Sequence, residues 1–296
     1  MRILIIGCGD VGLRVARLLR GRARLYALSH SPERYATLRD SGITPIPGNL
    51  DNRGSLARIA NLADVCLHFA PPPGDGECDI RTRHLLAALA RETSLAACRV
   101  PVAHAKVLVY ISTSGVYGDC GGEIVTETRP AHPENKRAKR RADAEKQLRT
   151  WGRKPGHRVG ILRAPGIYAQ NRMPADRVRN RLPAIHSGDD VHTNHIHAED
   201  LARLALAVLF RGGANRLYNA VDDSGLKMGD WFDVVADHLG LPRPPRLSRE
   251  EVLAAVTPAM RTFLTESRRL DNRRIKSELD FRLKYPTVRE GLRHSD

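Results

Sequence analysis

Ile3-Leu4-Ile5-Ile6-Gly7-Cys8-Gly9-Asp10-Val11-Gly12 is the stretch whose reading decides the fold. Four consecutive aliphatic residues read as a strand buried on both faces. The glycines follow in the spacing G-x-G-x-x-G, and Val11–Leu19 takes up helical periodicity. In a strand–turn–helix unit each glycine has a task. Gly7 allows the tight turn, Gly9 lets the backbone approach a pyrophosphate, and Gly12 lets helix and strand pack closely. The helix N-terminus adds free N–H groups and partial positive charge for phosphates. With Asp10 and Val11 completing the loop, the stretch predicts a dinucleotide site at the first turn.

Outward from it, short apolar runs alternate with helical patterns. Strands are predicted at Arg24–Leu28, Thr44–Ile46, Val65–Phe69, Val107–Ile111 and Val159–Leu162. Helical segments fall at Glu33–Asp40, Gly54–Ala60, Arg81–Ala97 and Arg137–Trp151. This order is the signature of βαβ units. The fold class is therefore α/β: a Rossmann-type doubly wound parallel sheet, with a smaller, mostly helical C-terminal cap. Arg172–Asp190 reads as irregular, His197–Phe210 as an amphipathic helix and Arg216–Asn219 as a strand. Further helices are predicted near Lys227–Leu239, Arg249–Val256 and Asn272–Leu279. The expected division is residues 1–165 with 191–220 for the dinucleotide domain, and 166–190 with 221–296 for the substrate-binding cap.

Composition narrows the function classes. Of 296 residues 42% are hydrophobic, which excludes disorder. Five cysteines, odd in number and never in a C-x-x-C pair, fit reduced thiols in a cytoplasm rather than a disulfide framework or a zinc site. No stretch approaches the length of a membrane span, and the apolar N-terminal run is too short for a signal peptide. The formal charge is +15, from 48 Lys and Arg against 33 Asp and Glu; only 8 of the 48 are Lys. The densest basic run, Lys136 to Lys154, has Trp151 as its one aromatic residue. It reads as a solvated helix face, so nucleic acid is not the expected partner. The histidines at 192, 195 and 197 read as pocket lining or helix capping rather than metal ligands, and Cys8 as inert packing.

The end of the second strand bears on the choice of cofactor. An acid about 20 residues after the glycine motif would bind the ribose 2′-hydroxyl of NAD. Here the chain reads Leu28-Ser29-His30-Ser31-Pro32-Glu33-Arg34. Ser29, His30 and Arg34 fit the 2′-phosphate of NADP instead. NAD is the alternative, because Glu33 stands close by.

Later segments carry a more specific resemblance. Ser112-Thr113-Ser114-Gly115-Val116-Tyr117-Gly118 resembles the S-S-x-x-V-Y-G segment of the extended short-chain dehydrogenase/reductase family, the NAD-dependent epimerase/dehydratases. Gly48-Asn49-Leu50-Asp51, His68-Phe69-Ala70 with Pro71 and Pro72, Leu162-Arg163-Ala164-Pro165-Gly166-Ile167-Tyr168 and His195-Ile196-His197-Ala198-Glu199-Asp200 resemble further family segments in order. The resemblance implies cofactor contacts from Asn49, Leu50, Ala70, Pro71, Pro72, Ser112 and Pro165. It implies substrate contacts from Ser114, Gly166, Tyr168, Asn194 and His195. A homodimer through the helices at 81–97 and 137–151 is also implied, although the second helix is strongly basic.

The catalytic positions depart from the family. A Ser or Thr at the place of Thr113 would work with the Tyr and Lys of Y-x-x-x-K on the next long helix. Those two positions are Arg137 and Arg141 here, and an Arg stays protonated near neutral pH. Three readings follow. In the first, Arg137 and Arg141 clamp an anionic small-molecule substrate, such as a nucleotide sugar, while Thr113 or Tyr117 acts as the acid. In the second, Tyr168 or His195 carries the proton. In the third, the fold is a non-catalytic NADP(H)-binding redox sensor.

Overall fold

Helices flanking each apolar run turn the runs into one sheet. The computed structural model describes residues 1–90 and 106–293. In chain order the strands are β1 (Arg2–Ile6), β2 (Arg24–Ser29), β3 (Ile43–Pro47), β4 (Val65–His68), β5 (Lys106–Thr113), β6 (Ile124–Val125), β7 (His157–Ala164), β8 (Gly166–Tyr168), β9 (Ala184–Ile185), β10 (His195–His197), β11 (Arg216–Asn219), β12 (Arg246–Leu247) and β13 (Arg269–Leu270). The helices are α1 (Asp10–Leu18), α2 (Tyr35–Asp40), α3 (Ile80–Leu89), α4 (Lys136–Gly152), α5 (Ala175–Arg179), α6 (Ala198–Arg211), α7 (Met228–Leu239), α8 (Arg249–Ala255), α9 (Pro258–Thr265), α10 (Arg273–Leu279) and α11 (Val288–Arg293). None of them is long and apolar enough to cross a membrane.

The chain divides into two compact units. The first comprises Met1–Val116, Lys136–Arg163 and Ala202–Tyr218; the second comprises Tyr117–Asn135, Ala164–Leu201 and Asn219–Asp296. Segments 117–135 and 191–201 thus group with the second unit.

The first unit holds a seven-stranded sheet in the order β11-β7-β5-β4-β1-β2-β3. β1 pairs in parallel with β2 and β4, β2 with β3, and β4 with β5. This is the doubly wound order, and it reverses between β1 and β4, where such sheets open a crevice at the strands' carboxyl ends. Leu4, Ile6, Leu108, Tyr110, Leu148 and Trp151 share the core on one face. A buried ionic knot joins α4 to two strands. Ser112 donates to Glu145 at 2.6 Å, and Arg163 donates to both Glu145 carboxylate oxygens at 3.1 and 2.7 Å.

Two helical expectations are corrected here. Residues 53–59 form a 3-10 turn rather than an α-helix, with Asn52 capping Gly54 N and Ala60 N bonding to Ala57 O. Pro32 opens a separate 3-10 turn, so α2 begins only at Tyr35. The helix expected over 81–97 is present as α3, and its part beyond residue 90 lies outside the described residues, as does Cys98.

The second unit is built from helices α5 and α7 to α11 and three two-stranded parallel ladders: β8 with β10, β9 with β12, and β6 with β13. Its core gathers Tyr168, Val178, Trp231, Phe232, Val252 and Val288. The segment expected to be irregular, 172–190, contains α5 and β9. Asp200 is fully buried, and its carboxylate accepts the N–H groups of Lys284 and Tyr285, 2.8 Å each.

Candidate functional site

At the sheet's crevice the glycine loop takes the geometry its sequence asks for. Gly7 has φ +82, and a Cβ there would lie 2.4 Å from Ala70 N, so only glycine fits between β1 and the exit of β4. A Cβ on Gly12 would sit 3.2 Å from Cys8 Sγ and 3.4 Å from Ile5, which is the close helix–strand packing. Around Gly9 nothing lies within 4 Å of the Cβ position. Gly9 is the N-cap of α1 and has no side-chain cap, so the first N–H groups of α1 face an open cradle. This fits a pyrophosphate. Asp10 follows the cap, and its charge is matched by Arg14 at 3.0 Å. Burial pushes the Cys8 thiol up to about 11, as inert packing requires.

A chain of contacts runs from this loop along the strand ends. Arg34 Nη2 donates to Cys8 O at 2.6 Å, which brings the expected 2′-phosphate cation onto the loop. His30 is exposed, while the Ser29 hydroxyl is near Ser31 O at 3.3 Å. Gly7 abuts Ala70, and Ala70 O accepts from Arg141 Nη1 at 3.4 Å. The same Nη1 reaches Tyr110 Oη and Ile111 O, both at 2.9 Å, so Arg141 braces β4 against β5. Beyond the loop, Asn49 Oδ1 accepts from Asp51 N, buried Leu50 accepts from His84, and Arg81 binds Asp51 while reaching Pro71 O and Pro72 O.

Thr113 ends β5. Its Oγ1 accepts from Gly115 N at 3.2 Å, which leaves the hydroxyl hydrogen to donate elsewhere. A Cβ on Gly115 would lie 3.6 Å from Thr113 Oγ1 and 4.0 Å from Ala138, so Thr113 stands beside the first turn of α4. Arg137 is on that turn, four residues before Arg141, exposed and, among the described residues, with no carboxylate within ion-pair distance. Partial withdrawal from water, and then the charges of Arg141 and Arg140, lower its pKa; a guanidinium remains charged even so.

Other predicted site residues have structural employment. Ser112 belongs to the buried knot. Ser114 is buried in the 3-10 turn that follows β5. Tyr117, 1% exposed, donates to Asn219 Oδ1 at 2.8 Å, and Asn219 is itself held by Val125 O and Asp271 O. The hydrogen that an acid would need is committed to that contact. In the second unit, Gly166, Tyr168, Asn194 and His195 meet on the β8–β10 ladder, and half-buried Pro165 precedes it. Tyr168 donates to Thr287 O at 3.2 Å. Burial, and then the charge of Asp222, hold its hydroxyl well above the ordinary phenol pKa. Asn194 is bound to Arg268 O and Leu270 N. His195 packs 4.5 Å from the Trp231 ring, and burial pushes its pKa down to about 3. It is therefore neutral at physiological pH. His197 Nδ1 accepts from Glu199 N, and the backbone of His192 bridges to Lys227. Arg177, also in the second unit, is buried, with its guanidinium 4.4 Å from the Phe232 ring.

One buried relay was missed in the sequence. His68, at the end of β4, lies 2.9 Å from Thr82 Oγ1, which lies 2.9 Å from Asp79 Oδ2. Burial, and then Arg141, push the His68 pKa down to about 3. The available signal was an unusual polar residue closing an apolar strand.

Comparisons with known proteins agree with this geometry. The model of the NAD dependent epimerase/dehydratase family matches residues 3–220. Human dTDP-D-glucose 4,6-dehydratase is 24% identical over 164 residues, a match covering 53% of this chain and 47% of that protein. The match thus spans about half the length of the curated relative. Among solved structures, a conserved protein of unknown function from Silicibacter pomeroyi DSS is 30% identical, with a TM-score of 0.77 over 98% of this chain and 96% of that one. The NAD complex of dTDP-glucose 4,6-dehydratase from Bacillus anthracis superposes with a TM-score of 0.76 at 19% identity, covering 100% and 95% of the two chains. UDP-glucose 4-epimerase from Thermotoga maritima, with UDP-glucose, gives 0.76 at 17% identity over 99% and 96%. With the family model covering most of its length, the chain belongs to the NAD-dependent epimerase/dehydratase family.

Proposed function

We propose that the chain is an NADP-dependent oxidoreductase, epimerase or dehydratase acting on an anionic, nucleotide-sugar type of substrate in the cytoplasm. The observation that carries this reading is the pairing of an open glycine loop with Arg137, a cation without a carboxylate partner among the described residues, at the position that the resemblance gives to the family's tyrosine. When bound, the nicotinamide supplies acceptance and return of a hydride. The α1 N–H groups and Gly9 hold the pyrophosphate, and Arg34 with His30 holds the 2′-phosphate. Arg137 grips the negative charge of the substrate, as a guanidinium fork suits carboxylate or phosphate. Thr113 donates its hydroxyl hydrogen to the substrate oxygen at which charge develops. Relatives named for dTDP- and UDP-linked sugars support the substrate class. Free Cys8, Cys66, Cys78 and Cys120 support the reducing compartment. The division into a dinucleotide part and a substrate part, with 1–165 and 191–220 in the former, belongs to the same reading.

A second reading has its own observation. Tyr117 and Tyr168 both have committed hydroxyls, which favours a redox sensor that binds NADP(H) without turnover. Titration with NADPH and NADH, followed by nicotinamide fluorescence, tests the cofactor assignment. NADPH is expected to bind at least about tenfold more tightly, and Arg34→Ala to remove the difference, since a hydrogen bond to a charged group contributes about 1.5–3 kcal/mol. Equal binding would overturn the NADP assignment. Incubation with dTDP-glucose and UDP-glucuronic acid then separates the readings. Turnover lost in Arg137→Ala supports the enzyme, whereas tight NADPH binding without turnover of either sugar supports the sensor.

A further inference from the structure

The sheet gathers charges that the sequence scatters. Parallel strands begin on one edge, opposite the edge that carries the glycine loop. There Arg2 and Arg24 are register partners on β1 and β2, and Arg20 and Arg22 lie on the turn that leads into β2. β7 begins on the same edge, because Glu145 binds Ser112 and Arg163 near the carboxyl ends of both β5 and β7. Arg153 and Lys154 lead into β7. β11 begins there too, since Asn215 Nδ2 donates to Gly152 O at 3.0 Å; Arg211 closes the helix before it. These seven cations are all exposed. The acids among the described residues of this edge are Asp40 and Asp64, and Asp64 is 3.8 Å from Arg2.

Neutralising helix C-termini does not account for them. The last carbonyls of α6 are held by Arg158, which donates to Gly212 O at 2.7 Å and to Val208 O at 3.3 Å. Those of α1 are met by backbone, with Leu19 N bonding to Val15 O.

We propose that this edge binds the phosphodiester backbone of duplex nucleic acid without reading its sequence. The cations are almost all arginine, whose fork matches phosphate oxygens. Seven strands at about 4.8 Å spacing make an edge roughly 29 Å wide. Over that length a duplex presents one charge per about 1.7 Å. Base stacking has no platform, because Trp151 is buried against His157 and the exposed Phe210 is a lone ring. A bilayer is the poorer fit: α1, α4 and α6 meet the edge with their ends, so no apolar helix face lies along it.

The test is fluorescence anisotropy of a labelled duplex of arbitrary sequence with the full chain, at about 50 and about 200 mM salt. With roughly six phosphate contacts, affinity is expected to fall about 10³-fold between the two. Arg20→Glu/Arg22→Glu/Arg153→Glu is expected to lose at least about tenfold at low salt, to lower the salt slope by nearly three and to keep NADPH binding unchanged. No binding at low salt, or equal binding by the variant, would overturn the proposal. So would displacement of the duplex by NADPH, which would place it in the cofactor crevice. Polyglutamate competing as well as the duplex would assign the edge to acidic proteins instead. Phosphatidylserine vesicles binding in preference to the duplex would assign it to a membrane surface.

Discussion

Replacing Glu145 with alanine is the sharpest test of how the first unit is held together. Glu145 and Arg163 are each 4% exposed, and Ser112 is 3% exposed. The carboxylate receives three hydrogen bonds, at 2.6 Å from Ser112 and at 3.1 and 2.7 Å from Arg163. Glu145→Ala leaves a guanidinium and a hydroxyl in the interior with their acceptor gone. Breaking a buried pair in this way costs about 3–5 kcal/mol, most of it the penalty of a buried guanidinium deprived of its carboxylate. At about 2–4 °C per kcal/mol for a unit of this size, the melting temperature is expected to fall by roughly 6–20 °C. Glu145→Leu/Arg163→Met removes both charges, so no orphan remains, and the double variant is expected within about 1–2 kcal/mol of the parent. Urea titration of the parent, Glu145→Leu, Arg163→Met and the double variant closes the cycle. Single variants that each lose under about 1 kcal/mol, or a double variant as unstable as the sum of the two, would refute the reasoning.

Three other outcomes are expected. Thr113→Ala should lower turnover about 10²-fold or more while leaving the NADPH dissociation constant within about twofold; a lost cofactor affinity in calorimetry would argue against its role toward the substrate. Burial raises the Asp222 pKa from 3.8 to about 7, so between those values the folded chain binds the extra proton and stability falls as pH rises, with the loss complete above about 7. Burial lowers His68 and His195 from 6.5 to about 3, which works oppositely, stability being gained as pH rises to about 6.5. The difference in melting temperature between parent and Asp222→Asn isolates the first effect: the variant should gain on the parent from pH 4 to pH 7, and a flat difference would contradict it. Iodoacetamide at about pH 8 should modify exposed Cys78 and spare Cys8, whose thiol burial holds near 11, as peptide mass spectrometry would show.

The parts of the molecule legible in the sequence were those fixed by neighbours in the chain. β1, the glycine turn and α1 are one continuous signal, and β4 and β5 stand out by the continuous apolar runs Val65–Leu67 and Val107–Ile111, as expected of strands covered on both faces. The setting of Tyr117 was not legible because its hydroxyl meets Asn219, 102 positions later, and no local pattern announces such a partner. The ladders of β6 with β13 and of β9 with β12 were invisible for the same reason, each strand being two residues long. Residues 53–59 carried helical spacing, but the bonds that form close after three residues. α9 did leave a signal that went unread: Thr257 caps it and Pro258 starts it.

Arg141 has a bearing on how this site could be altered. One of its nitrogens serves oxygens on the exits of two neighbouring strands, so the side chain works as a fixed strut across the mouth of the crevice. An ammonium group on a flexible stem would have to choose among those oxygens or leave them to reach a ligand. On the proposed reading, which puts the family's tyrosine and lysine at positions 137 and 141, installing that pair would therefore add two reactive groups and remove a brace at the same stroke. The present arginine is locked in place by the architecture around it, so any exchange at position 141 calls for compensating changes at Tyr110 or in the backbone after β4.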